Sequence, residues 1–299
     1  MIDKELLKPK YWGIWIVLGF ARTIVCLPYR ALLSIAIFFG FLVKPLMKRR
    51  QSITITNLKI AFPEKSEDEI LKLADECYRS VCMAGFESLI AWFMPERMWK
   101  KVPFDMQTQT LTAALEEGSR PVIILGFHFH CLEISGRAMG NNYDQFTVMY
   151  QKNHNKLMEH TIKISREKYM FKTFERKGII AVIKSLRKKV MIWYAPDQDF
   201  REHTIFAPFF GKMCTTLTVT PWLADRTNAV VIPMYYYRKK DLSGYVVVTK
   251  EPVTFSGDQF EDAKMTNELL ESIILEHPEQ YLWQHRRYKT RPEGEQKIY

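Results

Sequence analysis

From Tyr11 to Val43 the chain carries only two charges, Arg22 and Arg30, and no other segment restricts the fold as strongly. Pro28 stands between them, and its ring and missing N–H break or kink a helix there. The uninterrupted apolar runs, Tyr11 to Ala21 and Ala31 to Val43, are 11 and 13 residues long. A straight membrane span needs about 20. Two arrangements stay open: a single tilted span that snorkels an arginine, or a kinked segment lying in one leaflet. A buried core hairpin competes with both. Aromatic residues at the two ends (Tyr11, Trp12, Trp15, then Phe38, Phe39, Phe41) favour lipid. A cleaved signal peptide fits poorly, because Asp3 and Glu5 sit in the charged start and no small-residue cleavage site follows. Lys44, Lys48, Arg49 and Arg50 come next, a cluster suited to the cytoplasmic face beside anionic headgroups. Residues 1–50 therefore read as a membrane anchor and 51–299 as one domain.

The rest is ordinary globular material. Apolar residues make up 47% of the 299 and charged residues 25%, which excludes a disordered chain. A net charge of +10 predicts a polyanionic partner: nucleic acid, an anionic membrane or a phosphorylated substrate. The five cysteines are odd in number and lack CxxC spacing, so reduced, mostly buried thiols are expected.

Short apolar runs at 121–128, 191–199, 229–237 and 244–253 read as buried strands, the last two as a hairpin. Helical patterns fall at 66–95, opened by a Ser66–Glu69 capping box, and at 108–118, closed by Gly118. Others fall at 155–170, 178–189, 215–227 and 261–276. Strands alternating with helices predict an α/β fold with a mostly parallel central sheet flanked by helices.

Three segments can carry chemistry. In GFHFHCLEISGRAMG, 126–140, His128 stands in a strand-end loop and Glu133 in the first turn of the following helix. The carboxylate can fold back onto one ring nitrogen, fix the tautomer and leave the other as a general base. Chance H-x4-E pairs are common. His128, His130, Cys131 and Glu133 also admit a metal, but no fourth ligand has suitable spacing and the surroundings are α/β. In WYAPDQDFREHTIFAPFFG, 193–211, Asp197 and Asp199 project from a strand end and can bind a metal, orient a base or cap a helix. The tail from His285, HRRYKTRPEGEQKIY, joins the cations from Arg166 to Lys189 (Arg176 and Lys177 among them) in a basic second half. Nucleic-acid binding is the competitor, but no aromatic ladder accompanies the charge, and a lipid-facing basic surface is the better reading.

Together, NLKIAFPEKSEDE at 57–69, GFHFHCLE at 126–133, YAPDQDF at 194–200, FAPFFG at 206–211 and PEQYLWQHRRYKTRPEGE at 278–295 carry a resemblance. With the hydrophobic N-terminus they resemble the lipid A biosynthesis lauroyl/myristoyl acyltransferases of the lysophospholipid acyltransferase superfamily, over nearly the whole chain. The resemblance implies acyl transfer from acyl carrier protein to a hydroxyl of a 3-hydroxyacyl chain on a Kdo-lipid A precursor. It implies His128, Glu133 and Arg166 as catalytic residues, with Ser165 standing where the family usually has Gly. Asp197, Asp199, Arg176, Arg286 and Arg287 are the expected supporting or substrate-binding residues. No metal, cofactor or nucleic acid is implied, and Cys131 is expected to be dispensable. The expected site of action is the cytoplasmic side of the bacterial inner membrane, as a monomer. A glycerolipid acyltransferase is less compatible, since its glycine-rich phosphate motif is missing. A non-catalytic relative is less compatible because His128 and Glu133 are both present.

Overall fold

The computed structural model describes residues 3–176 and 178–299; Lys177, one of the expected cations, lies outside the described residues. Two apolar helices come first, α1 (Trp12–Ile24) and α2 (Tyr29–Val43), with Pro28 as the N-cap of α2, where its fixed φ suits the break. A 3-10 turn then leads into α3 (Lys48–Ala61). The helical run Tyr29–Ala61 is long and apolar enough to cross a membrane. Both α1 and α2 seat one side on α4 (Glu67–Phe93), burying Leu18, Ala21, Leu32, Leu33 and Ala36. The Tyr78 hydroxyl donates to the Gly40 carbonyl at 2.8 Å. The other side stays bare: Ile16 is 73% exposed, Phe20 65% and Phe41 76%, which is not the burial of a core hairpin. The Ser66–Glu69 capping box opens α4 as expected.

After α5 (Glu96–Trp99) the chain builds β1 (Phe104–Gln107), α6 (Gln109–Glu117), β2 (Val122–Leu125), α7 (Leu132–Asn142) and β3 (Phe146–Tyr150). There follow α8 (Lys156–Arg166), β4 (Lys172–Glu175), α9 (Ile179–Leu186) and β5 (Met191–Tyr194). A separate antiparallel hairpin, β6 (Thr204–Phe209) and β7 (Lys212–Leu217), packs on the late helix α11 (Gln259–Glu276). Between them lie α10 (Val219–Thr227), β8 (Val230–Arg238) and β9 (Tyr245–Thr249). The main sheet runs β1-β9-β8-β2-β5-β3-β4 and is parallel except for the β8–β9 pair.

This is the expected α/β fold with a mostly parallel sheet. Its central strands, VIIL and MIWY, are buried at every residue because helices cover both faces. One expectation fails locally. Residues 215–217 are strand, not the start of a helix, and α10 begins at Val219.

Candidate active site

β2 and β5 are parallel neighbours, with Leu125 opposite Tyr194. Three residues beyond each, the chain reaches His128 and Asp197. An open α/β sheet places functional groups in this position, past the carboxyl ends of adjacent strands. The two loops meet. Asp197 Oδ2 accepts the His128 backbone N–H at 2.8 Å, and its Oδ1 stands 2.6 Å from His128 Nδ1. A carboxylate only accepts, so Nδ1 carries a proton, and in the neutral ring the lone pair is on Nε2. Among the described residues Nε2 has no hydrogen-bond partner, and the His128 side chain is 26% exposed against 1% for Asp197. Burial pushes the Asp197 carboxyl upward, but His128 and the buried cation Arg287 outweigh it and hold the group below its ordinary value.

Glu133 does not make the bond to His128 expected from sequence. It stands in the first turn of α7, where α4 and α8 supply partners. Arg166, the last residue of α8, grips it with two nitrogens, Nε at 3.2 Å from Oε2 and Nη2 on Oε1. Trp92 Nε1 on α4 donates to Oε2 at 2.9 Å. Burial pushes Glu133 upward as well, yet Arg166 and Trp92 together hold it below the usual carboxylate value. Asp197 reaches His128 from the loop after the neighbouring strand, while Glu133 is bonded to residues of two other helices.

The remaining expected residues divide. Asp199 is committed to the tail: its carboxylate accepts from Thr215 Oγ1, Thr290 N and Thr290 Oγ1 at 3.0–3.1 Å. Arg287 is 3% exposed and donates to Thr215, Thr216 and Asn267, so it lies in the interior rather than on a substrate-facing surface. Arg176 is exposed at the carboxyl edge after β4, with its guanidinium 4.6 Å from the Phe200 ring. Arg286 is partly exposed and lies 5.9 Å from the Tyr299 ring.

The two ionisable neighbours of His128, His130 and Cys131, are both buried. The buried His130 ring contacts Ser80 Oγ at 2.8 Å and Gln284 Oε1 at 3.2 Å, and burial pushes it down to about 3. The buried Cys131 thiol is pushed up to about 12 by burial.

Sequence reasoning missed Trp92 and the bonds that the segment after α11 makes to the His128 loop. Gln280 O accepts the His130 N–H at 2.8 Å, and Leu282 N–H donates to His128 O at 3.1 Å. The clue was the aromatic pair Tyr281 and Trp283 just before the basic tail, which marks a buried segment.

The fold and the site thus define an α/β protein with a carboxylate-held histidine past the carboxyl ends of its central strands, behind a pair of apolar helices bare on one side. The family model for bacterial lipid A biosynthesis acyltransferase matches residues 1–290. A lipid A biosynthesis palmitoleoyltransferase of Escherichia coli (strain K12) is 35% identical over 300 residues, covering 99% of this chain and 97% of that protein. The lipid A biosynthesis lauroyltransferase of the same strain is 34% identical, covering 97% and 95%. Its lipid A biosynthesis myristoyltransferase is 26% identical, covering 98% and 92%. The chain belongs to the bacterial lipid A biosynthesis acyltransferases.

Proposed function

We propose that this acyltransferase moves a fatty acyl chain of lauroyl or myristoyl type from the thioester of acyl carrier protein to its acceptor. The acceptor is the hydroxyl of a 3-hydroxyacyl chain on a Kdo-lipid A precursor. The observation that carries the reading is the His128–Asp197 pair: a fixed Nδ1–H tautomer with Nε2 open beside the sheet edge.

Nε2 of His128 takes the hydroxyl proton as the oxygen attacks the thioester carbonyl, and Asp197 stabilises the imidazolium that forms. The tetrahedral oxyanion collapses, the C–S bond breaks, and the imidazolium returns its proton to the departing thiolate. Arg166, its fork fixed by Glu133, and first-turn N–H groups of α7 are the proposed oxyanion donors. Asp197 and Glu133 are positioning residues in this scheme, and no acyl-enzyme forms on Cys131. Residues 1–50 attach the protein to the inner membrane, and 51–299 act as a monomer on its cytoplasmic side. There, exposed cations such as Arg176 face phosphorylated acceptor, anionic lipid and acidic carrier protein.

The test is in vitro transfer to a Kdo-bearing tetra-acylated precursor from acyl carrier protein or coenzyme A thioesters, by wild type and His128→Ala. Product from the carrier-protein thioester, reduced at least about 100-fold in a folded His128→Ala, is the expected result. An equally active His128→Ala contradicts the mechanism, and transfer from coenzyme A alone contradicts the donor.

A further inference from the structure

The segment that follows α11 runs as a strap under both loops of the site. Besides the Gln280 and Leu282 bonds to the 128–130 loop, the Tyr281 hydroxyl donates to the Asp197 carbonyl at 3.4 Å. One further contact is chemically unusual. Among the described residues the Asp199 backbone N–H, two residues past Asp197, has no carbonyl as its acceptor. It donates at 2.9 Å to Nε2 of His285. A ring nitrogen that accepts carries no proton, so His285 is a neutral Nδ1–H imidazole.

His285 is itself fixed from the far side. Asn57, 1% exposed on α3, donates its amide to the carbonyls of Trp283 at 2.7 Å and His285 at 2.8 Å. Arg50 on the same helix donates to the Gln284 carbonyl at 2.9 Å. The NLKIAFPEKSEDE and QHRRYKTRP segments, far apart in sequence, therefore form one unit. Its imidazole tip holds the backbone of the turn that carries Asp197. Burial pushes the His285 ring down to about 4, consistent with an acceptor at neutral pH.

We infer that His285 is a positioning residue for the base: by accepting the Asp199 N–H it sets the Asp197 turn, and through Asp197 the orientation of His128. The inference rests on the reading of His128 as the general base. It predicts a loss in turnover, not in substrate affinity, because displacing a catalytic group by about 1 Å can cost about 100-fold. Gln at 285 offers a side-chain carbonyl acceptor and is the conservative replacement.

The experiment uses full-length enzyme in detergent, histidine-labelled with nitrogen-15, together with the transfer assay. In wild type the His285 ring is expected as the Nδ1–H tautomer, and the His128 Nδ1–H as a far-downfield proton bonded to carboxylate. His285→Ala is expected to lower kcat by about 10- to 100-fold with KM little changed, and to shift or broaden that proton. His285→Gln is expected to restore both. A His285 ring found as Nε2–H, or charged at neutral pH, overturns the inference even if no variant folds. So does His285→Ala with wild-type kcat and an unmoved His128 proton, or His285→Gln as slow as the alanine variant. If His128→Ala keeps full activity, the base assignment fails instead, and the two failures are thereby distinguished.

Discussion

Gly126 lies against Trp193 so closely that a Cβ built on it would sit 2.0 Å from the indole Nε1. The glycine is the first residue after β2, and Trp193 belongs to β5, the strand that leads to Asp197. Their contact sets the spacing of the two loops that join as His128 and Asp197.

Gly126→Ala is therefore expected to cost about 1–3 kcal/mol, the usual scale for overpacking a core, and to lower transfer activity together with stability. Adding Trp193→Leu should recover part of the melting temperature. Thermal unfolding of the two variants checks this, and a Gly126→Ala protein as stable and active as wild type would remove the spacing role.

The buried pair Glu87–Arg238 predicts a stability effect. Arg238 Nε and Nη2 contact the two Glu87 oxygens at 2.6 and 2.7 Å, and the Tyr245 hydroxyl donates to Glu87 at 2.8 Å. Both side chains are at most 3% exposed. Removing one partner strands a buried charge, so Glu87→Ala is expected to lose about 3–5 kcal/mol in urea unfolding. A loss below about 1 kcal/mol would contradict that reading.

Acid sensitivity should start well above the carboxylate range. His130 and His285, pushed by burial to about 3 and about 4, stay neutral when folded, but unfolded imidazoles titrate near 6.5. Between those values the unfolded chain binds more protons, so stability rises with pH and is lost as pH falls below about 6.5. Asp197 and Glu133, held below their ordinary values, contribute stability above about 4 that is lost as pH falls through their folded values. Urea stability measured from pH 8 to 4 should flatten in His130→Gln by about 1.4 kcal/mol per pH unit within the upper window. An unchanged slope would show that His130 is not held neutral.

The bare faces of α1 and α2 predict membrane retention. Burying an aromatic or large aliphatic side chain contributes about 1.5–3 kcal/mol. Changing Phe20, Phe38 and Phe41 to Glu should thus move the protein from the membrane pellet to the soluble fraction, with His128-dependent transfer to micellar substrate retained. Full retention in the pellet by the triple variant would refute a role for these faces.

Much of the fold was legible because its signals are local. The capping box at Ser66, the Gly118 stop at a φ of 60° and the apolar runs of β2, β5, β8 and β9 each report their own element. β4 was not legible, because KTFE buries only its two middle residues. The β6–β7 hairpin was hidden by Pro208, which reads against a strand yet sits on a two-stranded ribbon. At the site, His128 and Asp197 stood out, but not their pairing. That depends on β5 inserting beside β2, a long-range fact absent from H-x4-E spacing. The tail looked like solvated charge because Arg287 and His285 find their partners, Thr215, Asn267 and Asp199, only through tertiary contact.

The most direct measurement is a double-mutant cycle on kcat/KM for acyl transfer with His128→Ala, Asp197→Asn and the double variant. Asparagine offers one acceptor where two N–H groups of His128 need one each, so Asp197→Asn alone should lose about 100-fold or more. If Asp197 acts through His128, the double variant is as slow as His128→Ala alone, because residues acting as a unit are not additive. Losses that multiply, with the non-additivity appearing instead between His128→Ala and Glu133→Gln, would return the carboxylate role to Glu133 and contradict the account.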